Sequence, residues 1–499
     1  MPRYLRIDPD DNVAVALCDM NEGTAVIVGE QRIRLLSPVP QGHKFAIADI
    51  APGSDVIKYG ASIGRASKYI SAGEHVHTHN LETKLDGILE YEYRPRPAAS
   101  LPIPEADSFM GYVRADNQVG TRNEIWILPT VGCVNRTAGI IAEQARKALE
   151  HEPWAGTIDG IFAFPHQFGC SQLGEDHRNT QKLLVSLAKH PNAAGVLFVS
   201  LGCENNQVGE IQAALGKYDP DRIKFLTAQT VEDETAIGTR LVMELAKQAM
   251  TSSRQPVPLK ALKLGLKCGG SDGLSGITAN PLAGWVSDFV VGAGGISVLT
   301  EVPEMFGAEH LLMQRASTES VFHGTVQLIT EFKQCFISHG QPIYENPSPG
   351  NRQGGITTLE EKSLGCIQKS GKGPVTAVLE YGSTASVPGL NLLCSPGNDM
   401  VAVTALAAAG CQLIIFTTGR GNPLGTCVPT VKIASNTQFY NQKRHWIDFN
   451  AGVLLDGVSM EDAAEQLLNL SLDAACGERT KSELMGFREI AIWKNGVTL

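Results

Sequence analysis

No apolar run in this chain approaches the roughly 18 residues that a membrane-spanning helix needs. The longest, Gly195–Gly202 and Leu413–Phe416, have the length of buried strands. The opening residues, MPRYLRIDPDDNVAVAL, carry no long apolar stretch and no cleavage-site pattern, so no secretory signal is expected and a cytoplasmic location is. Lys/Arg runs are missing as well. The 42 Lys and Arg face 52 Asp and Glu, giving a net charge of −10. That balance argues against nucleic acid and anionic membrane as main partners. It still permits an anionic small substrate, because a few local cations outweigh a diffuse charge at short range. There is no C-x-x-C, and the 11 cysteines are odd in number, so a disulfide framework is not expected. Solenoid-type repeats and low-complexity tracts are also lacking.

What is present divides at prolines. A length of 499 residues allows two to four domains. Four prolines in Tyr93–Pro104 read as a semi-extended linker over 93–105, and Thr251–Pro258 makes a second break. The resulting regions are 1–92, 106–250 and 259–499. The first holds short β-rich runs, Val13–Leu17, Ala25–Val28 and Gln31–Leu36, punctuated by turn residues, and predicts a small compact β fold. The second alternates apolar strands (Glu124–Val131, Gly160–Phe164, Gly195–Val199) with helices near 137–150 and 179–189, the first capped near Asn135 or Arg136. This predicts a doubly wound, Rossmann-like parallel sheet. The third has strand candidates at Ala261–Leu266, Pro374–Glu380 and Gln412–Thr417. A helix is marked by the capping signature Ser459-Met460-Glu461-Asp462 and runs toward Cys476-Gly477, so this region too reads as α/β.

The most informative stretch is His75-Val76-His77-Thr78-His79-Asn80. On a strand, residues two apart share a face, so His75, His77 and His79 would line one surface as a site for a borderline metal such as Fe, Mn or Zn. The alternative is a surface strand that happens to carry histidines. In the middle region three strand ends carry the same dipeptide: Gly132-Cys133, Gly169-Cys170 and Gly202-Cys203. Ligands of open α/β sheets bind beyond the carboxyl ends of strands. The thiols read either as a soft-metal or cluster site or as small buried residues at tight turns. The missing C-x-x-C weakens the cluster reading.

Lys267–Asn280 is Gly-rich, follows a strand and lacks both G-x-G-x-x-G and a phosphate-loop Lys-Ser/Thr. It therefore suits a carboxylate or hydroxylated ligand better than a nucleotide. Polar Gly/Pro loops recur at Glu345–Glu360, followed by Lys362, Cys366 and Lys369, and at Ser395–Asp399 and Thr417–Pro423. Arg420 could clamp a carboxylate with its planar fork, or form a surface ion pair. In the β region, Gly42-His43-Lys44 and Val56–Gly60, with Lys58, precede the histidines; a desolvated lysine there could act as a base.

Taken together, these stretches resemble the altronate/galactarate dehydratase family. The matching motifs are Gly42–Ala46, Val56–Gly60, His75–Asn80, Asn123–Trp126, Gly169–Ser171, Gly202–Asn206, Cys268–Pro281, Pro303–Gly307, Glu345–Gly350, Trp446–Phe449 and the terminal Gly496–Leu499. They cover essentially the whole chain. The resemblance implies an amino-terminal SAF-type β-clip domain followed by two α/β parts. It implies loss of water from D-altronate to give 2-keto-3-deoxy-D-gluconate in hexuronate catabolism, with dependence on Fe(II), or Mn(II) in its place. In that chemistry a 2,3-dihydroxy acid gives up its C2 proton and C3 hydroxyl, and a metal bound by the carboxylate stabilises the developing enediolate. The expected metal ligands are His77 and His79 with His43 or His75. Lys44, Lys58 or Asp272 are expected as acid or base. Arg420, with Ser271 and Asn280 of the Gly-rich loop, is expected to hold the sugar acid. A homo-oligomer is expected. Galactarate or a sulfonated hydroxy acid as substrate, an iron–sulfur hydro-lyase, and a non-catalytic sugar-acid-binding protein are the competing readings.

Overall fold

The computed structural model describes residues 3–29 and 31–499. The leading module is built from short antiparallel strands: β1 (Tyr4–Leu5), β2 (Val13–Ala16), β3 (Ala25–Val28), β4 (Gln31–Arg34), β5 (Lys44–Ala46), β6 (Asp55–Lys58), β7 (Ala61–Ala66), β8 (His75–Val76) and β9 (Leu81–Glu82). They form a sheet β1-β2-β5-β8, a sheet β6-β7-β9 and the β3-β4 hairpin. Residues 83–107 carry neither helix nor strand. A small sheet of β10 (Ser108–Val113), β11 (Val119–Gly120) and β16 (Gln255–Pro258) brackets the second domain, pairing its entry with its exit.

That domain is a parallel sheet of order β13-β12-β14-β15, with β12 at Glu124–Pro129, β13 at Gly160–Ala163, β14 at Ala193–Ser200 and β15 at Ile223–Thr227. Its central strands β12 and β14 are almost wholly buried, as their unbroken apolar runs require when helices cover both faces. The helix predicted at 137–150 spans Asn135–Glu150, but its N-cap is Val134 and no side chain caps it.

The third domain is a larger, all-parallel sheet, β19-β20-β18-β17-β21-β22-β23. Its strands are β17 (Lys263–Cys268), β18 (Ile296–Leu299), β19 (Val375–Leu379), β20 (Gly389–Leu393), β21 (Leu413–Thr418), β22 (Thr430–Ala434) and β23 (Phe449–Asn450). The helix announced by Ser459 runs Met460–Cys476, and Ser459 accepts from the Asp462 N–H as read. Val56, Ile63 and Val76 of the leading module share one core with Met305, Leu359 and Leu364 of the third domain. The β module is thus packed onto the α/β body. No described helix is long and apolar enough to cross a membrane.

Strand order fixes where ligands can bind. In the third sheet the chain leaves β17 toward β18 on one side and later returns to place β21 on the other. The two connections diverge there, which opens a crevice beyond the carboxyl ends of β17 and β21. In the second sheet the same switch lies between β12 and β14.

Candidate functional site

A cavity of about 620 Å³ occupies the third domain's switch point. Its walls include Cys268 and Gly269 after β17, Asn422 after β21, Asp399 at the start of a helix, and Glu304 and Lys362. Beneath it lies a buried ionic cluster. Cys268 Sγ is 3.5 Å from Cys366 Sγ, and each sulfur is 3.1 Å from Glu304 Oε2. Lys369 Nζ lies 2.8 Å from Cys268 Sγ, and Lys362 Nζ lies 2.7 Å from Glu304 Oε1. Lys267 pairs with Glu301 and, at 2.7 Å, with Asp399. Glu301 holds φ +69°, a left-handed conformation a non-glycine residue adopts only when its surroundings enforce it. Here the pairing with Lys267 and the Cys268 N–H, 3.2 Å from Glu301 Oε2, does so.

These contacts set the protonation states. The hydrogen bond from Cys366 lowers the Cys268 thiol to about 6, against burial and with help from Lys369, so Cys268 is a thiolate at neutral pH. The same bond pushes Cys366 up. Burial opposes ionisation of Glu304, but Lys362, Lys369 and Lys267 outweigh it and hold Glu304 well below the usual carboxylate range. Burial, reinforced by Glu304, drives Glu301 upward.

Among the described residues, Cys268, Glu304 and Cys366 are the metal-capable side chains whose ligand atoms all lie within 4.8 Å of one another. A cation there would meet anions already neutralised by lysines, so the cluster suits proton transfer and anion binding better than a lone dication.

The four predicted histidines do come together. Strand β8 ends at Val76, however, and residues 77–80 form a turn closed by the Leu81 N–H on the His77 carbonyl at 2.9 Å and by Asn80 Oδ1 on the His77 N–H at 2.9 Å. Strand alternation is therefore not what gathers them, contrary to the sequence reading. His43 enters from the adjoining strand pair, its Nδ1 3.0 Å from His75 Nε2. Ring centroids are 5.2 Å apart for His43–His77 and 5.6 Å for His75–His79. His43 Nε2 lies 3.2 Å from the Gln353 carbonyl and His77 Nε2 2.9 Å from that of Arg352. Burial lowers His75 to about 3 and His77 to about 4, and also lowers His43. Neutral imidazoles are what a metal requires. The convergent donors are His43 Nδ1 and His75 Nε2, flanked by exposed His79, while His77 is turned onto Arg352. None of the four lines the cavity.

The other expected residues are spread along one loop system. Lys44 is fully buried and donates to Glu361 Oε2 at 2.8 Å, Thr357 Oγ1 at 3.1 Å and the Gly355 carbonyl at 3.3 Å. Lys58 donates to Glu361 Oε1 at 2.8 Å. One carboxylate thus ties β5 and β6 to the helix Leu359–Cys366, which carries Lys362 and Cys366. Asp272 accepts from the Leu274 and Ser275 N–H groups and from Ser275, Ser435 and Asn436 side chains. So engaged, it holds a loop and has little capacity left as a proton carrier. Gly273 sits where an added Cβ would fall 1.9 Å from the Gly42 carbonyl, so only glycine lets the His43 segment reach this loop. Asn280 donates to the Gly365 carbonyl at 2.9 Å and accepts from Thr417 at 2.6 Å, so both ends are used. Ser271 borders a void of about 10 Å³ beside Lys58 and Cys366. Arg420 is exposed, 3.2 Å from Gln353 Oε1, and lies outside the cavity wall.

Reading the sequence noted Cys268, Lys362, Cys366 and Lys369 only in passing and gave Glu301, Glu304 and Lys267 no role. The available signal was the density of ionisable residues in otherwise apolar segments, Lys267-Cys268 after Leu264–Leu266 and Glu301–Glu304 after β18.

Comparison with known proteins covers the whole chain. Residues 2–84 match the altronate/galactarate dehydratase SAF domain, residues 111–250 the second domain of D-galactarate dehydratase/altronate hydrolase, and residues 259–498 the D-galactarate/altronate dehydratase C-terminal domain. The altronate dehydratase of Escherichia coli (strain K12) is 51% identical over 498 residues, covering 100% of both chains. That of Bacillus subtilis (strain 168) is 49% identical over 500 residues, again covering 100% of both. The galactarate dehydratase (L-threo-forming) of Escherichia coli is 31% identical over 503 residues, covering 95% of this chain and 93% of that one.

Proposed function

The chain belongs to the altronate/galactarate dehydratase family, and on that premise we propose that it removes water from D-altronate to give 2-keto-3-deoxy-D-gluconate. The observation that carries the reading is the switch-point cavity, where a cation, a carboxylate and a thiolate meet at the mouth of a buried ionic cluster.

The reaction breaks C2–H and C3–O. The proton goes to a protein base, the hydroxyl leaves as water, and the enol product ketonises. Lys362, kept charged by Glu304 against burial, seats the substrate carboxylate together with the start of the helix Asp399–Ala408, whose N–H groups favour an anion. Of the groups facing the cavity, the Cys268 thiolate and the Glu304 carboxylate are the proton acceptors. Lys369, hydrogen-bonded to Cys268, stabilises the thiolate before it takes the C2 proton, and that proton is passed to the C3 hydroxyl, which leaves as water. The acid or base roles that residue type suggested for Lys44, Lys58 and Asp272 become positioning roles, because all three are engaged within the protein. Arg420, outside the cavity wall, yields the carboxylate contact to Lys362.

A divalent ion, Fe(II) or Mn(II), would be held by His43 and His75, whose Nδ1 and Nε2 stand 3.0 Å apart beside the Gly42–Gly273 contact, with His79 next to His75. When bound it would supply positive charge where the leading module meets the third domain, outside the wall of the cavity that seats the substrate. The working enzyme is a homo-oligomer in this reading.

The test is an anaerobic assay with a panel of hexonates and hexarates plus Fe(II), following 2-keto acid. Altronate should turn over far faster than galactarate; turnover of galactarate alone would overturn the assignment.

A further inference from the structure

The second domain has its own switch point, between β12 and β14, and nothing in the dehydration chemistry above uses it. Cys133 follows β12, Cys170 follows β13 and Cys203 follows β14, three neighbouring parallel strands whose carboxyl ends share one edge. Free cysteine is among the residue types most often buried. These three are all exposed, whereas Cys268, Cys366, Cys411 and Cys427 of the third domain are buried. That overturns the reading of the Gly-Cys pairs as small buried residues at tight turns.

The loops that carry the three cysteines are laced together. The Gly132 N–H donates to the Phe168 carbonyl at 2.9 Å, and the Asn206 N–H to the Gly169 carbonyl at 3.0 Å. The Asn206 side chain donates to the Thr130 carbonyl at 2.9 Å, and the Ser171 N–H to Asn205 Oδ1 at 2.8 Å. Gly169 takes φ +106°, and a Cβ there would fall 2.0 Å from the Thr130 carbonyl. Glycine before Cys170 is thus what lets its loop close on the loop of Cys133. Two fully enclosed polar atoms of these same loops, Gln172 Nε2 and Asn206 Oδ1, have no hydrogen-bond partner. Packing alone does not explain exposed thiols, interlocked loops and orphaned amides at one sheet edge.

We propose that Cys133, Cys170 and Cys203 ligate an iron–sulfur cluster of the four-iron type, leaving one iron without a protein ligand. Three thiolates at a switch point suit a soft, iron-rich ligand. The three do not form a set with all sulfurs within 4.8 Å, unlike Cys268, Glu304 and Cys366. Three thiolates bound to one ion at about 2.3 Å would fall within that limit, so the set is not arranged for a single ion. The amino end of the helix Asn135–Glu150 begins at Cys133's loop and offsets the negative charge of a thiolate-bound cluster.

The experiment uses the full chain, purified without oxygen and reconstituted with ferrous iron and sulfide. Iron, acid-labile sulfide and visible absorption are then measured in the absence of substrate. The expected result is about four irons and four sulfides per chain with a broad visible band. In the triple variant Cys133→Ser, Cys170→Ser, Cys203→Ser labile sulfide should fall at least tenfold, while Cys268→Ser retains it. Each single serine variant is measured by electron paramagnetic resonance in case the triple variant fails to fold; an altered signal in each supports the site. Wild-type protein without labile sulfide, a triple variant that keeps it, or one iron per chain with no sulfide would each overturn the proposal. Because no sugar acid enters this readout, its failure is distinguishable from failure of the altronate assignment.

Discussion

Replacing Glu361 by Gln removes the single carboxylate that neutralises two buried lysines, Lys44 and Lys58, each 2.8 Å away. Breaking a buried pair by deleting one partner costs about 3–5 kcal/mol, because the remaining charge stays in low dielectric. Here two ammoniums are orphaned, so the upper part of that range is expected. Lys44→Met is the contrasting change. Burial, with Lys58 nearby, lowers Lys44 to about 8 from 10.5 despite Glu361. Keeping it charged at pH 7 therefore costs the fold about 3 kcal/mol. Its removal leaves one lysine against one glutamate, and the lost bonds to Thr357 and Gly355 offset the relief, so a net change within about 1 kcal/mol is expected. The pH dependence follows in sign. A lysine with a lowered folded pKa penalises stability fully below about pH 8, and the penalty fades as pH rises toward 10.5. Amide hydrogen exchange in β5 and the helix Leu359–Cys366 reads this local stability directly, without assuming that a multidomain chain unfolds in one step. Wild type should gain protection between pH 8 and 10.5 after correction for intrinsic exchange, and Lys44→Met should not. The reasoning fails if Glu361→Gln protects these segments as well as wild type does, or if Lys44→Met destabilises them more than Glu361→Gln.

Three other outcomes are expected. Alkylation of Cys268 through the cavity should rise with a midpoint near pH 6, while Cys411 and Cys427, both pushed by burial up to about 12, stay inert; mass spectrometry of labelled peptides decides this. Lys362→Met should raise KM for the sugar acid at least tenfold, through loss of a carboxylate partner worth about 1.5–3 kcal/mol; a change in kcat alone would contradict its seating role. The double change His43→Ala, His75→Ala should reduce bound divalent metal and turnover together, and full metal occupancy in that variant would reject the histidine site.

Much of the architecture was legible because its causes are local. Prolines at 95, 97, 102 and 104 rule out a continuous helix or sheet across the first boundary, and no described helix or strand occurs there. Unbroken apolar runs such as Ile125–Leu128 and Val196–Val199 demand strands covered on both faces, and Ser459 fixed a helix start by its side-chain cap. The long helix Glu319–Ser338 escaped notice, since its apolar spacing is interrupted by Thr325 and Lys333, both buried in the fold.

The sequence by itself determined the alternation of elements, the family, and the presence of histidine-rich and Gly-Cys segments, because periodicity, capping and turn chemistry act over a few residues. Tertiary structure alone decided which distant residues meet. Cys268 and Cys366 are 98 positions apart, yet their sulfurs stand at 3.5 Å; Lys44 finds its carboxylate 317 positions away. The protonation of such groups depends on burial and on charges a few ångströms off. Both are fixed only when the sheet order folds the chain back on itself, so no reading along the chain could have supplied them.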